Sequence, residues 1–449
     1  MNHYTSSFFV VVALGLPMAS CSQPTVELDL EQTQELARAA AGHDFLLDPS
    51  QGGFSEEELE SLMADGLSLE ECERITLLHQ KDLQAKLYEV GIAQADLLQA
   101  GLLSNPTLDL AIRFPGDGTG NLIYALLGFE LLELWQIPAR EEAAEYQLQA
   151  TVAEVARAAV EQLRQTKLVY WEAQTQDELC SLSAQQAQIA VESLQAQQGL
   201  AQEGMADAAT VDASSLQAQR AQLVYERELA ARSQARQALG RVLSLEQDLD
   251  QLALVEDFPD TLNASLSVIT LVEQAKRERL DLQALAAKVS ALEAELSLRQ
   301  RQRFGALSAG PNFEDMGDGQ NSVGPAVSWT IPLFDRNQAG IAKAAFALEQ
   351  ARLQHQGAIA QTVQEVRSAW TVRLEAKLRH KRLAEDILPL MRSMEARLAD
   401  SVELGMSPRT ELLAKQWERL DSEAELIQAR HDLLRAQLNL EWAVGAPLD

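Results

Sequence analysis

The chain has 449 residues, a formal net charge of −29 at pH 7, and 47% hydrophobic but only 5% aromatic residues. A charge this negative argues against a nucleic-acid-binding protein, because nucleic-acid-binding surfaces are basic. The apolar content is mostly Ala and Leu, with Gln and Glu between them. This composition is typical of long helices packed closely through small residues, and the acidic charge fits a solvated helical surface.

Residues 1–20 have the features of a secretory signal peptide. The apolar run at residues 8–20 ends in small residues, is too short to span a membrane, and is followed directly by Cys21. Met18-Ala19-Ser20-Cys21 resembles the cleavage box of bacterial lipoproteins, in which the Cys becomes the lipidated first residue, although no Lys or Arg precedes the run. Two interpretations remain: lipidation at Cys21, or an ordinary signal peptide with a Cys nearby.

Residues 21–66 form a polar, acidic leader, for which the sequence predicts an extended course with one short helix. Beyond it, Cys72 and Cys180 lie far apart in helical patterns. We therefore expect them to pack between helices, not to form a disulfide or a metal site. No stretch after residue 20 reaches the ~18 apolar residues of a membrane helix, so any membrane embedding must use strands or lipid.

Several landmarks recur in the same order in the two halves of the chain. They are Asp82 and Asp281, Trp135 and Trp329 (each in Trp-x-Ile-Pro), Gly204 and Gly405, and Gly240 and Gly445. An ordered set at nearly one spacing indicates an internal duplication. We predict a first structural repeat over residues 67–260 and a second over 261–449. Each repeat contains a helix, two strands, a long helix, a Gly break and a last helix.

Apolar residues at every second position predict two strands in each repeat. The predicted strands are at about residues 105–114, 121–135, 304–313 and 322–331. The turn Pro115-Gly116-Asp117-Gly118 joins the first pair, and a loop with Gly317 and Gly319 joins the second. Strands of about 9–11 residues have the length that a tilted membrane strand needs, and Trp135 and Trp329 at their ends suit a membrane interface. Soluble hairpins attached to a helical protein give the same alternation.

The helical segments are unusually long. From Glu141 to about residue 202 there is no Pro, and ~60 helical residues reach roughly 90 Å. In the last segment apolar residues such as Leu413, Trp417 and Leu420 step by four and three, which is coiled-coil spacing. His431 lies in that seam, and we interpret it as a packed histidine because no second His or Cys lies one turn away.

Gly204-Met205 and Gly405-Met406 each interrupt two long helical patterns. Gly ends the first helix, and a nearby Asp, Ser or Thr caps the next. The sequence therefore predicts the tips of two antiparallel helical hairpins. Each is either a plain turn or a docking surface, because the tip is the part of a long hairpin furthest from its base.

With these motifs the chain resembles the TolC-type outer-membrane efflux channel family of Gram-negative bacteria. Two segments and the Gly-Met tips carry the resemblance, which extends from about Leu67 to the C-terminus. The segments are Gly101-Leu102-Leu103-Ser104-Asn105-Pro106-Thr107-Leu108 and residues 323–336, with Ile331-Pro332-Leu333-Phe334-Asp335-Arg336 at its end. The resemblance implies a mainly α fold with membrane β-strands, in two tandem repeats of a strand pair plus a long coiled-coil hairpin. Three copies would close a twelve-stranded outer-membrane β-barrel, continued by a periplasmic α-barrel.

The resemblance also implies partners and a function. The protein would be the lipid-anchored outer-membrane channel of a tripartite efflux system. It would be a passive duct driven by an inner-membrane pump through a periplasmic adaptor that meets the tips. Glu411, six residues after Gly405, best matches the acidic position at the tunnel constriction, with Asp207 and Asp212 as weaker candidates. Each of these acids also fits a solvated surface position.

The sequence offers no catalytic, metal or cofactor motif: it has no phosphate-binding Gly loop, no zinc spacing and no nucleophile constellation. We therefore predict a protein that is not an enzyme. The alternative functions are a lipidated periplasmic adaptor and a coiled-coil scaffold. An adaptor predicts one hairpin inserted in a β-rich domain, and a scaffold does not need the Trp-x-Ile-Pro strand ends. The cargo is left open among metal ions, drugs and proteins.

Overall fold

The computed structural model describes residues 27–49, 54–114, 121–246, 249–250, 252–255, 258, 267–317 and 320–448. The predicted signal peptide, Cys21, the turn Pro115-Gly116-Asp117-Gly118 and Gly319 lie outside these residues. The helices are α1 (Glu31–Ala41), α2 (Glu56–Ala64), α3 (Leu69–His79), α4 (Lys81–Gly101), α5 (Glu133–Gln202), α6 (Ala208–Leu243), α7 (Val268–Glu278), α8 (Leu280–Arg301), α9 (Gln338–Lys381), α10 (Leu388–Glu403) and α11 (Arg409–Val444). The strands are β1 (Thr107–Arg113), β2 (Leu122–Glu130), β3 (Leu307–Asp315) and β4 (Asn321–Trp329).

The described part of the leader contains two helices, where the sequence predicts one. α1 packs against α5 and buries Thr33 and Ala37. α2 starts at a capping box: the N–H of Glu58 donates to the Ser55 hydroxyl, and the N–H of Ser55 donates to the Glu58 carboxylate at 2.8 Å. These reciprocal bonds satisfy donors that the first turn of a helix leaves free.

The single helix predicted at the start of the first repeat is broken at Gln80, between α3 and α4. The backbone of Gln80 is extended, and its side-chain oxygen accepts from the N–H of Leu83 at 2.7 Å, which caps α4. Arg279 has the same extended backbone between α7 and α8. Each repeat therefore begins with two short helices in series.

The four strands form one antiparallel sheet in the order β1-β2-β3-β4. In the register, Leu110 lies opposite Ala125 and Phe313 opposite Val323. At Gly310 a side chain would collide with the carbonyl oxygen of Leu127, so glycine permits the close approach of β3 to β2. Within the chain β1 and β4 are the free edges, and the β2–β3 pair joins the two repeats.

Two strand boundaries differ from the prediction. β2 ends at Glu130 and α5 starts at Glu133, so Trp135 lies in the first turn of a helix. The residues between are apolar, and the alternation therefore gave no signal of the change. β3 starts at Leu307 because residues Gln302–Phe304 form a 3₁₀ turn, which ends at Gly305 with a φ of +75°.

The long helices form two hairpins. α5 has 70 residues, about 105 Å at 1.5 Å per residue. It packs against α6, α8, α4 and α11, and buries small residues such as Ala153, Ala156 and Ala159. Cys72 and Cys180 are buried free thiols, which confirms their expected place between helices.

The second hairpin differs from the first in the arm that precedes its tip, which consists of α9 and α10. A π-helical turn over Arg382–Ile387 joins α9 to α10. Pro389, the second residue of α10, has no N–H to donate to the preceding turn. The corresponding arm of the first hairpin, α5, is one uninterrupted α-helix through residues 133–202.

Candidate functional surfaces: hairpin tips and sheet

The first tip closes α5 with a left-handed glycine. Gly204 has a φ of +76°, and its N–H donates to the carbonyl of Ala201 at 3.0 Å. The N–H of Met205 donates to the carbonyl of Leu200 at 2.8 Å. This pair of bonds is a Schellman motif, which needs a residue that tolerates positive φ. The Met205 side chain projects outward and is 65% exposed.

The second tip repeats this geometry at the end of α10. Gly405 has a φ of +72° and donates to the carbonyl of Val402 at 3.0 Å. Met406 donates from its N–H to the carbonyl of Ser401 at 2.9 Å, and its side chain is 71% exposed. The predicted hairpin turns thus share one backbone conformation, and each presents an exposed methionine.

Asp207 caps the next helix. Its carboxylate accepts from the N–H of Thr210 at 2.8 Å and from the Thr210 hydroxyl at 2.6 Å. These bonds hold the pKa of Asp207 below its usual range. Asp212, one turn further along α6, is exposed. The capping role gives Asp207 a structural task whether or not it also lines a tunnel.

Glu411 lies in the first turn of α11 and is exposed. A carboxylate at this place is favoured by the partial positive charge of the helix N-terminus. Close by, Arg409 pairs with Glu192 of α5 at 3.4 Å, an ion pair that links the two hairpins near their tips. A constriction would be lined by several copies of the chain, so the roles of Glu411, Asp207 and Asp212 there stay predictions.

His431 lies in the α11 seam, where it is 9% exposed. Its Nε2 is 3.1 Å from a carboxylate oxygen of Glu172 on α5. Burial lowers the pKa of His431, and the Glu172 charge acts in the opposite direction. The contact joins the two hairpins, as expected of a packed histidine. Within the described residues no three His, Cys, Asp or Glu side chains converge as a metal site would require.

The sheet exposes apolar side chains at both free edges. On β1, Leu108, Leu110 and Ile112 are 67%, 60% and 48% exposed. On β4, Val323 and Val327 are 75% and 69% exposed. The outer backbone groups of these two strands have no strand partner within the sheet.

Trp135 and Trp329 meet around Phe304 at one end of the sheet. The rings of Trp135 and Phe304 are 5.4 Å apart, and the indole N–H of Trp329 donates to the carbonyl of Phe304 at 3.2 Å. The guanidinium of Arg301 lies over the Trp135 ring at 5.5 Å. Both tryptophans are about half exposed, so they remain able to lie at a membrane interface.

Sequence reasoning missed the side chains that fix the start of β1. Arg140 on α5 donates to the carbonyls of Ala100 and Leu102 at 2.6 Å each. Glu133 accepts from the N–H of Ser104 at 2.9 Å. The only sequence signal is a charged residue on each side of Ile137-Pro138, which does not reveal a partner some 30–40 residues away.

The comparisons with known proteins agree with this geometry. Residues 271–446 match the family model described as outer membrane efflux protein, which confirms the resemblance predicted from the sequence. No curated protein matches the chain in sequence. Among the described residues, none of the helices combines the length and apolarity needed to cross a lipid bilayer.

Solved structures of bacterial membrane proteins share the fold over most of the chain. The CmeC outer membrane channel of Campylobacter jejuni has 14% identity and a TM-score of 0.67, covering 90% of this chain and 93% of its own. The outer membrane protein VceC of Vibrio cholerae has 16% identity and a TM-score of 0.67, covering 85% and 97%. A membrane protein from Pseudomonas aeruginosa has 18% identity and a TM-score of 0.67, covering 84% and 93%.

Proposed function

We propose that the chain is the outer-membrane channel component of a tripartite efflux system. Three copies close a twelve-stranded barrel in the outer membrane, and their helices continue as an α-barrel into the periplasm. The duct is passive, and an inner-membrane pump supplies the energy. A periplasmic adaptor connects the pump to the hairpin tips. Cys21 carries the lipid that anchors the leader.

The observation that carries this proposal is one sheet with an apolar face and two free edges, joined to long helices of which α5 reaches about 105 Å. Unpaired strand edges are not tolerated in lipid, where each unsatisfied backbone group costs several kcal/mol. Pairing of β4 with β1 of another copy removes both edges and closes a barrel. A soluble adaptor or a coiled-coil scaffold leaves the exposed apolar strands without a purpose.

The two tips support the adaptor contact. They are the ends of long hairpins, they have the same backbone conformation, and they present Met205 and Met406. Methionine side chains are flexible and polarisable, which suits them to contacts with helical partners. Glu411 of three copies would place carboxylates around the mouth of the duct, where they would favour cations.

The adaptor contact is tested by placing a photoreactive amino acid at Met406 or Met205 in cells of the natural host. We expect a cross-link to a periplasmic protein anchored in the inner membrane. Ile269, which is 73% exposed and lies on α7 rather than at a tip, is the matched control and should give no such product. A cross-link from Ile269 but from neither tip would contradict the proposal.

A further inference from the structure

One contact inside the chain shows how neighbouring strand pairs are joined below the sheet. The segment after β2 packs against the segment before β3: the Trp135 ring lies on Phe304, and Arg301 donates to the carbonyl of Trp135 at 2.7 Å. This contact lies at the point where the first repeat meets the second. It accompanies the β2–β3 pairing at the centre of the sheet.

The corresponding segments at the two free edges have no such partner among the residues that the structure describes. After β4, Leu333 and Phe334 are 67% and 92% exposed. Before β1, Leu102 and Leu103 are 42% and 57% exposed. Four large apolar side chains therefore face solvent beside two unpaired strand edges. By contrast, the equivalent segments at the β2–β3 junction are packed together.

Both segments are held in fixed conformations by hydrogen bonds. The segment before β1 is bound by Arg140 and Glu133, as described above. The segment after β4 is held by Asn337, which has a φ of +56° and donates from its side-chain amide to the carbonyl of Arg299 at 3.0 Å. Gln338 donates to the carbonyl of Phe334 at 3.3 Å. Such preorganisation reduces the ordering cost of forming a contact.

The direction of the strands decides which segments meet. The sheet has four antiparallel strands, so β4 runs opposite to β1 and the end of β4 lies on the same side of the sheet as the start of β1. When β4 of one copy pairs with β1 of the next, the pairing is again antiparallel. The segment after β4 then lies beside the segment before β1 of the next copy, as 131–135 lies beside 302–306 within the chain.

We propose that Leu333 and Phe334 of one copy pack against Leu102 and Leu103 of the next copy. The contact repeats, between chains, the packing of Trp135 on Phe304 within the chain. It rests on the proposed function, because it requires copies that join edge to edge in a ring. It adds a specific apolar contact at the junction of strands and helices, which fixes the register of neighbouring copies.

Cysteine cross-linking in native outer membranes tests this contact. The doubly substituted chain Leu103→Cys with Phe334→Cys should give covalent dimers and trimers after mild oxidation. These two positions lie at opposite edges of the sheet, so a disulfide within one chain does not explain such products. The matched control is Met205→Cys with Phe334→Cys, which keeps the cysteine at residue 334 and moves the other from Leu103 to a similarly exposed position at a hairpin tip. Single substitutions measure any background from the native cysteines.

A second measurement does not depend on disulfide geometry. Leu103→Ser and Phe334→Ser should each lower the temperature at which the trimer dissociates in detergent, and the double substitution should lower it by less than the sum, because contacting residues are coupled. Intact trimers with neither cross-links nor coupling would overturn the contact alone. A monomeric native mass of the unsubstituted protein would overturn the proposed function together with the contact.

Discussion

The two hairpins end in the same way but are packed differently along their arms. Gly204 and Gly405 close their helices with the same two hydrogen bonds. Yet α10 buries only Leu388 and packs against α11. Residues 179–190 of α5 bury six side chains, whereas residues 380–391, the corresponding stretch of the second hairpin, bury Leu383 and Leu388. The six are Leu179, Cys180, Ser183, Gln186, Ala187 and Ala190.

The conformation of the tips depends on local chemistry, whereas the burial of the arms depends on neighbouring helices. A Schellman tip needs only a glycine and the last turn of its own helix, so both repeats form it. Burial of an arm needs helices on both sides. α5 packs against both α6 and α11, whereas among the described helices α10 packs mainly against α11.

The largest loss of stability is expected from a substitution at the break between the first two helices of a repeat. At this position the first repeat has Gln80, and the second has Arg279, which bonds to Asp281, Glu365 and the carbonyl of Ala443. Arg279→Gln should lower the free energy of unfolding by about 3 kcal/mol, because two carboxylates lose a buried partner. Unfolding followed by circular dichroism in detergent measures it.

The matched control for Arg279→Gln is Gln80→Ala, which removes the cap of α4 and should cost about 1 kcal/mol. Equal losses at the two positions would mean that the ion cluster contributes no more than a helix cap. The break would then contribute equally to the stability of the two repeats.

The tips should respond equally to substitution. Gly204→Ala and Gly405→Ala should each cost about 1–2 kcal/mol of local stability, because alanine is strained at positive φ. A Cβ meets no atom within 4 Å at either glycine, so the cost is one of backbone conformation alone. Hydrogen exchange of the last turn measures it, and Gly→Asn, which tolerates this conformation better, should restore part of the protection. Clearly unequal effects would show that the tips are not equivalent.

Ion pairs hold the arm α10 to α11. Arg419 of α11 pairs with Glu395 of α10 and Glu423, and Arg392 pairs with Glu423 at 3.1 Å. Arg419→Gln should destabilise residues 388–403 by about 0.5–1 kcal/mol, the range for partly exposed ion pairs. Hydrogen exchange should increase there and not in residues 179–190. A similar response in both arms would remove the contrast between them.

The smallest effect is expected in the leader, where the stability of α1 should depend on pH. His43 lies 3.0 Å from the Glu73 carboxylate, which also pairs with Lys167 at 3.3 Å, whereas the second repeat has Val272 at the position of Glu73. The hydrogen bond to Glu73 raises the pKa of His43 against the effects of burial and of the Lys167 charge. The resulting stabilisation is present below the unfolded histidine pKa of about 6.5 and is lost as pH rises through the higher folded value.

Hydrogen exchange of α1, corrected for intrinsic rates, should therefore become faster relative to α7 between about pH 6 and pH 8. His43→Gln should remove this dependence while leaving the exchange of α7 unchanged. Protection of α1 that increases over the same range would contradict the direction of the shift.

Much of the fold was predictable because its signals are local. Alternating apolar residues marked the strands, and Gly-Met marked both tips. Ser55 and Ser68 each precede a Glu by three residues, so the capping boxes of α2 and α3 were also readable from the sequence. The break at Gln80 was not, because no Gly or Pro marks it. The cluster around Arg279 was hidden for another reason: Glu365 is 86 residues away along the chain.

The outward-facing residues of the candidate site were partly predictable. Met205 and Met406 followed from the turn chemistry, whereas the exposure of Phe334 did not, because an apolar residue beside a strand is ordinarily expected to be covered. The role of the exposed Phe334 depends on which residues of a neighbouring copy contact it. That arrangement follows from the strand order, which the sequence alone did not provide.

The most direct test of the account is the native mass of the protein extracted in detergent from isolated outer membranes. The account predicts a complex of three chains that leaves the membrane only when detergent is added, because the sheet of each chain is completed by its neighbours within lipid. A monomer, or protein released by salt without detergent, would contradict the barrel and with it the proposed duct.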